Sequence, residues 1–351
     1  MRAVSFAGLL VALVACKRDA PSPVPSGDLA VEKIDVHTHL SPGSYSWALP
    51  LLQLYGIKTA VNLSGGREGQ GLEAQLAAAS QQSGRVVVFC TPDLLSPAAP
   101  QELERLHALG CRGVKIFKSL GLQMTWPDGA LVSVDDSALD PLFEKAGALG
   151  MPVAIHTGDP RAFWQPVSPA NERYDELKVH PSWALAGRPV PSWDQLLEQF
   201  ERRVARHKGT TFIGLHFGNA AEEPERVDAM LERNPNLMVE TGARIPELGR
   251  SDPAKLRAIF LRRQDRIMFG TDLAAGDRRG ELVLGSPSGQ LPTPADVTLF
   301  FGASWRFFET NDRGFPHPTP IQGRWTIDGI GLPKETLQKI YRDNAVRVLK
   351  L

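Results

Sequence analysis

Residues 139–158 read Leu-Asp-Pro-Leu-Phe-Glu-Lys-Ala-Gly-Ala-Leu-Gly-Met-Pro-Val-Ala-Ile-His-Thr-Gly. Leu139, Leu142, Phe143, Ala146 and Leu149 recur at helical spacing and share one face. Gly150 follows, and glycine accepts the left-handed backbone that ends a helix. Val153, Ala154 and Ile155 are then an apolar run too short for a helix, and it ends on His156. The stretch is a helix, a stop, a buried strand, and a polar side chain at the end of that strand.

The same unit recurs on both sides. Strands are predicted at Lys33–His37, Thr59–Leu63, Val86–Cys90, Gly113–Phe117, Val153–His156, Phe212–His216, Leu237–Glu240 and Arg266–Gly270. Most are rich in Val, Ile and Phe without clean alternation, as strands covered on both faces are. Between them lie helical patterns. Leu196, Leu197, Phe200 and Val204 follow a Ser192-x-x-Gln195 capping box, and Asp252-Pro253 opens a helix with Leu256, Ile259 and Phe260 inward. Gly56, Gly84, Gly110 and Gly209 repeat the role of Gly150. Eight strands alternating with helices predict an α/β fold, a (βα)8 barrel over residues 31–351. A last helix over Pro333–Leu349 turns Leu337, Ile340, Tyr341 and Val348 inward and is expected to close the ring.

Two connections are long: Asp159–Pro191 after the fifth strand and Leu273–Pro333 after the eighth. They carry Trp164, Trp183, Trp305, Phe307, Phe308, Arg324 and Trp325. In a barrel the loops that follow strands surround the mouth. These side chains are therefore candidate lids or substrate walls, the alternative being that they pack on one another.

Composition narrows the class. The 39 basic and 39 acidic side chains cancel, so net charge gives no reason to expect binding to nucleic acid or to an anionic membrane. An apolar share of 42% supports a sizeable core and argues against disorder. Residues 1–15 read as a signal peptide: Arg2, then an apolar run from Val4 to Val14 that is too short to span a bilayer. The run ends in Leu13-Val14-Ala15-Cys16, which resembles a bacterial lipobox and implies a lipid on Cys16; an ordinary signal peptide with a chance cysteine is the alternative. Residues 16–30 are then a polar, Pro/Ser-rich tether. The expected location is outside the cytoplasm, held to a membrane by acyl chains alone. Cys90 and Cys111 have no metal-type spacing, and they are expected to be unpaired core thiols rather than a disulfide.

Polar residues gather at the strand ends. Asp35-Val36-His37-Thr38-His39 closes the first strand, and residues two apart on a strand face the same way, so His37 and His39 can present two imidazoles to one ion. His156 ends the fifth strand, His216 the sixth and Asp272 the eighth. His156 follows His37 by 119 residues, or four units of about 30, and Asp272 follows His216 by 56, or two units. His107, His180, His207 and His317 follow no strand; His207 is placed to favour a helix C-terminus. The constellation predicts a metal site at the barrel mouth.

These motifs, with Gly113-Val114-Lys115, His156-Thr157-Gly158, His216-Phe217-Gly218, Phe269-Gly270-Thr271-Asp272 and Ile340-Tyr341-Arg342-Asp343-Asn344-Ala345, resemble the amidohydrolase superfamily. The likeness is nearest to the branch of amidohydrolase-related proteins and aminocarboxymuconate-semialdehyde decarboxylase. It implies that His37, His39, His156 and Asp272 hold one divalent ion, most often zinc, with His216 catalytic or behind the ligands, or a ligand of a second metal as in some branches. Lys115, near the end of the fourth strand, is a positioning or structural residue in that one-metal branch; a carboxylated, bridging lysine is the alternative in two-metal members.

Two reactions fit. In hydrolysis of an ester, amide or lactone-type bond, Asp272 accepts the proton of the attacking water and His216 orients that water or polarises a carbonyl. In non-oxidative decarboxylation the same set acts on a carboxylate. A retired, non-catalytic barrel is the third option, and the intact set of ligand-type side chains speaks against it. Arg244, beside Glu240 at the end of the seventh strand, is a candidate clamp for a substrate carboxylate, or else a partner of Glu240 or Glu247. Arg324 and Trp325 are further candidates for substrate contact, and Glu240 is a candidate for substrate contact or for a place behind the ligands. The expected partner is a small organic molecule.

Overall fold

A computed structural model of the chain describes residues 31–351; the expected signal peptide, the tether and Cys16 lie outside the described residues. The barrel strands are β1 (Lys33–Leu40), β2 (Ile57–Asn62), β3 (Val86–Cys90), β4 (Gly113–Ile116), β5 (Val153–Ile155), β6 (Phe212–Gly214), β7 (Leu237–Glu240) and β8 (Ile267–Met268). Each pairs in parallel with the next. The ring closes from β8 back to β1. The Val36 amide donates to the Phe269 carbonyl at 3.0 Å, and the Asp272 amide donates to the His37 carbonyl at 2.8 Å. Beyond that point β9 (Leu273–Ala275) runs parallel to β1, and β10 (Leu282–Leu284) turns back antiparallel to β9.

Two apolar layers hold this arrangement. Ile34, Val36, Val61, Val87, Ile213 and Met238 fill the barrel interior. A larger layer lies between strands and outer helices, because strands buried on both faces offer a second apolar surface. The helix Trp193–Arg206 shows how local signals set the outer ring. Ser192 and Gln195 form the expected reciprocal cap, and Leu196, Leu197, Phe200 and Val204 are buried. That helix does not end on Gly209 as expected. The ring of His207 instead bonds the Arg203 carbonyl at 3.0 Å, so a side chain satisfies the last turn and no left-handed glycine is needed.

The two long connections are present, and the second contains the barrel's eighth outer helix, Pro294–Glu309. Thr293 and Asp296 cap it, and Phe300, Phe301, Trp305, Phe307 and Phe308 are buried along it. Trp305, Phe307 and Phe308 are thus core residues and not walls of the mouth: Trp305 lies against Phe269, and Phe308 against Tyr341. The C-terminal segment has a different role from the ring closure expected of it. It comprises Lys334–Gln338, a π-helical turn over Lys339–Asp343 and Asn344–Leu349. Ala345 and Leu349 join the interior cluster and seal the end of the barrel opposite the histidines. The π turn frees the Ile340 carbonyl, which accepts the Phe269 amide at 2.9 Å.

Cys90 and Cys111 correct a further expectation. They are disulfide-bonded, with Cα atoms 5.9 Å apart. The cause is topological. The helix Ala99–Leu109 returns the chain so that residue 111 arrives beside the end of β3, just before β4 pairs with it.

Candidate metal centre

His37 and His39 leave the same face of β1, and their ring nitrogens Nε2 are 3.2 Å apart. Asp272, past the end of β8, brings Oδ1 to 3.1 Å from His37 Nε2 and 3.3 Å from His39 Nε2. Its backbone is left-handed, with φ of 60°, which aims the carboxylate back across the closing seam. Asp35 fixes that seam: it accepts the amides of His37 at 3.1 Å and Thr271 at 3.0 Å and the Thr271 hydroxyl at 2.5 Å. Burial raises the pKa of Asp35 to about 7.

His216 follows β6 on a left-handed turn, with φ near 55° at His216 and 56° at Phe217. Non-glycine residues rarely adopt this geometry, and where they do a function often accounts for it. The turn points the ring inward. Nδ1 of His216 donates to the Gly242 carbonyl at 2.8 Å, and Nε2 lies 3.3 Å from His156 Nδ1. The ligand atoms of His37, His216 and Asp272 all lie within 4.8 Å of one another. His156 meets this set through His216, and its own buried Nε2 has no hydrogen-bond partner.

Glu240 orients the centre from behind. It accepts His37 Nδ1–H at 3.0 Å and the His216 amide at 2.6 Å, and also the Gly242 amide. Gly242 and Gly270 leave room for it: a Cβ on Gly242 would lie 2.7 Å from Glu240 Oε2 and 2.9 Å from His37 Nδ1, and one on Gly270 would overlap Glu240 Oε2. Burial raises the pKa of Glu240 to about 7. Burial also holds the imidazoles of His37, His156 and His216 well below their ordinary pKa, so they are neutral at neutral pH. Burial opposes ionisation of Asp272, but His37 and His39 outweigh it and hold the carboxyl below its usual range.

This donor set fits a divalent cation. With Nδ1–H given to Glu240, His37 Nε2 carries a bare lone pair facing His39 Nε2 and an ionised carboxylate oxygen. A cation placed among these three atoms would be held by all of them. Ligand atoms bonded to tetrahedral zinc at 2.0–2.1 Å lie about 3.3 Å from one another, and the three observed separations are 3.1, 3.2 and 3.3 Å. Nδ1 of His39 lies 2.7 Å from Ser64 Oγ, so a further outer partner supports a ligand.

A cavity of about 330 Å³ opens over these groups. Arg244 lines it, buried, with its guanidinium on the Ala243 carbonyl and no ion pair among the described residues; neither Glu240 nor Glu247 holds it. Glu247 is taken by Arg173. Lys118, held by Asp159 at 2.8 and 2.9 Å, and Trp183 also line the cavity. Lys115 is buried at the end of β4, 4.9 Å from the Phe117 ring centre, and burial lowers its pKa to about 8. Arg324 and Trp325 are not brought to the site. Arg324 is exposed and pairs with Asp175, and the Trp325 indole donates to the Pro246 carbonyl. The chain carries both outward after Gln322, the last residue of that segment to line the cavity. Among the other histidines, His180 bonds the Pro287 carbonyl and His317 the Gly323 carbonyl, and neither lines the cavity.

Three further residues escaped the sequence reading. Ser64 stands one residue past Leu63, where the position rule that singles out the histidines would have found it. Asp159 and Arg173 lie in the long loop after β5, where spacing carries no signal.

A family model described as amidohydrolase matches residues 34–351. No curated protein sequence matches the chain. Among solved structures, 2,6-dihydroxybenzoate decarboxylase from Rhizobium is similar, with 17% identity, a TM-score of 0.52, and coverage of 91% of this chain and 99% of that one. A probable 2-pyrone-4,6-dicarboxylic acid hydrolase from Acinetobacter baumannii has 12% identity, a TM-score of 0.50 and coverage of 91% and 100%. A zinc-bound amidohydrolase from Burkholderia multivorans has 14% identity, a TM-score of 0.52 and coverage of 91% and 99%.

Proposed function

The chain belongs to the amidohydrolase family, and from that premise we propose that it is a metal-dependent hydrolase that cleaves an ester, amide or lactone-type bond in a small carboxylate-bearing molecule. The observation that carries this reading is the triangle of His37, His39 and Asp272 beside the buried Arg244, which has no ion pair among the described residues. His37, His39 and Asp272 would hold one divalent ion, zinc by the donor set, with His156 as the further ligand and His216 next to the reacting atoms. When bound, such an ion lowers the pKa of water to about 7 and polarises a carbonyl oxygen.

The residues supply the rest. Asp272, kept ionised, accepts a proton from the attacking water through the oxygen not facing the histidines. Water oxygen adds to the carbonyl carbon, the bond to the leaving oxygen or nitrogen breaks, and Asp272 passes the proton to that leaving group. His216 donates Nδ1–H to Gly242 and so turns Nε2 toward the cavity, where it orients water or substrate. Arg244 holds the substrate carboxylate. Arg244→Ala should raise KM for acidic substrates at least tenfold and change kcat less; an equal KM would remove Arg244 from this role.

A second reading is non-oxidative decarboxylation. It is favoured by the same buried cation and by the likeness to the Rhizobium decarboxylase. There the bond from carbon to carboxylate breaks, CO₂ leaves and the carbon gains a proton. Turnover in ¹⁸O-labelled water separates the two. Hydrolysis places the label in the product acid, whereas decarboxylation releases CO₂ and leaves the remaining product unlabelled.

An exported, lipid-anchored protein is supported by the sequence of residues 1–16 and by the Cys90–Cys111 disulfide, since disulfides persist in oxidising compartments. Labelling cells with radioactive palmitate tests it, and loss of label in Cys16→Ala is expected.

A further inference from the structure

The end of the barrel sealed by Ala345 and Leu349 has a character of its own. In a (βα)8 barrel the turns that lead from a helix into the next strand lie at the end opposite the mouth. Pro152 before β5, Asn236 before β7 and Arg266 before β8 meet Arg347 and Lys350 of the C-terminal segment around a cleft of about 230 Å³. Arg266, Arg347 and Lys350 make it positive, and no carboxylate side chain of the described residues lines it. None of these cations has an ion pair among the described residues. Arg266 donates to the carbonyls of Asn234 and Leu237, and Arg347 to that of Asp265. The Lys350 amine lies over Gly150, where the helix Asp140–Leu149 ends. Burial and the neighbouring guanidiniums of Arg263 and Arg347 hold Arg266 below its ordinary pKa, and an anion would relieve that field.

The same end exposes leucine. Leu54 and Leu109 are the last residues of the helices Tyr45–Leu54 and Ala99–Leu109, so they stand at the turns before β2 and β4, and they are 74% and 52% exposed. Arg112 and Lys208, on the turns before β4 and β6, add exposed cations. The acidic side chains of these turns, Glu32 and Asp265, are taken by Lys58 and Lys339. The balanced net charge of the chain is therefore unevenly placed. Exposed leucine among basic side chains suits the surface of an anionic bilayer, where the apolar groups enter the headgroup region and the cations meet phosphate.

Chain direction brings this end to a membrane. β1 runs from the closed end toward the mouth, and Val31 stands at its foot, where the Lys33 amide donates to the Gly56 carbonyl. Residues 16–30 thus join the barrel at the closed end. A polar coil of that length spans about 20 Å, no more than the roughly 20 Å radius of gyration of a domain this size. A lipid on Cys16 would hold the closed end to the bilayer and leave the mouth facing away.

We propose that the closed end of the barrel is a membrane-docking surface, with Arg266, Arg347 and Lys350 on the phosphates of anionic phospholipids and Leu54 and Leu109 among the headgroups. The orientation rests on the reading of Cys16 as lipidated, while the surface is tested apart from it.

The full chain carrying Cys16→Ala, which cannot be acylated there, is sedimented with vesicles of phosphatidylcholine, alone or with about 30% phosphatidylglycerol. At about 0.1 M salt it should bind the anionic vesicles at least tenfold more tightly than the neutral ones, and at about 0.5 M the difference should vanish. Arg347→Glu with Lys350→Glu, both at exposed positions, should remove most of that difference. Arg278→Glu with Arg279→Glu, the same charge change on the exposed loop between β9 and β10, should leave it. No preference for anionic vesicles, or a preference that both pairs reduce alike, overturns the surface. Release from the vesicles by millimolar glycerol 3-phosphate would give the cleft to a soluble phosphate and overturn the bilayer as its occupant. Orientation is read on the acylated chain in the same anionic vesicles. A nitrobenzoxadiazole label on Leu109→Cys should be quenched by nitroxide lipids, and one on Leu291→Cys, on the mouth side, should not. Equal quenching of the two overturns the orientation. A native chain whose mass shows no acyl group on Cys16 overturns the tether and the orientation, and the vesicle comparison still decides the surface.

Discussion

Glu240 ties together three parts of the centre that come from different strands: the His37 ring on β1, the His216 backbone after β6 and its own turn at Gly242. A ligand histidine whose other nitrogen donates to a carboxylate keeps a fixed tautomer and a more basic metal-facing nitrogen. Glu240→Gln preserves the shape and loses the charge. It should weaken zinc binding about 10–100-fold, measured by competition with a chromophoric chelator, while the circular dichroism spectrum stays native. The two paired imidazoles are separable by the same measurement. His156→Asn should lose bound metal, whereas His216→Asn should keep metal and lose turnover; the reverse pattern would exchange their roles. The four histidines and Asp272 were legible in the sequence because each ends a strand, and in a barrel that position faces the mouth. Glu240 was legible as a candidate for substrate or for a place behind the ligands, because it too ends a strand; its bond to His37 was not, since that contact spans 203 residues. Arg324 and Trp325 misled because a loop can carry a side chain away from the mouth as easily as toward it.

At the scale of elements, the outer helices are joined by ion pairs that pH can probe. Asp140, at the start of the helix Asp140–Leu149, accepts from Arg203 and Arg206 of Trp193–Arg206. Burial pushes its pKa up, but the two guanidiniums outweigh this and hold it below the ordinary carboxylate value. The folded state therefore binds this proton less readily than the unfolded chain. The resulting stability is present above the unfolded pKa of about 3.9 and is lost as pH falls through the folded value. Asp140→Asn should cost about 1–3 kcal/mol at neutral pH, and the gap from the native chain in urea unfolding should shrink toward zero below the carboxylate range. A gap that stays constant with pH would show that the charge is not the cause. The helix Pro294–Glu309 is the element the sequence reading concealed. Its phenylalanines and Trp305 suggested a lid, yet Thr293-x-x-Asp296 is a cap signal and the aromatic spacing is helical. The C-terminal segment was legible as a helix but not as a plug, because its destination depends on which end of the barrel stays open.

For the whole molecule, the rhythm of strand, helix and stop was enough to give the barrel, since few architectures accommodate eight such units. The disulfide was not legible: residues 90 and 111 are 21 apart with no framework spacing, and only the packing of β3 beside β4 brings them together. The barrel brings His37 and His39 from near the start of the described chain and Asp272 from after β8 to within 3.3 Å of one another. Everything proposed for the chemistry depends on a cation at that meeting point. Anomalous diffraction at the zinc edge, on crystals of the purified protein, tests this most directly. The expected result is a single strong peak within bonding distance of His37 Nε2, His39 Nε2 and Asp272 Oδ1, removed by soaking in chelator. A fully active protein whose crystals show no peak between those three atoms would contradict it.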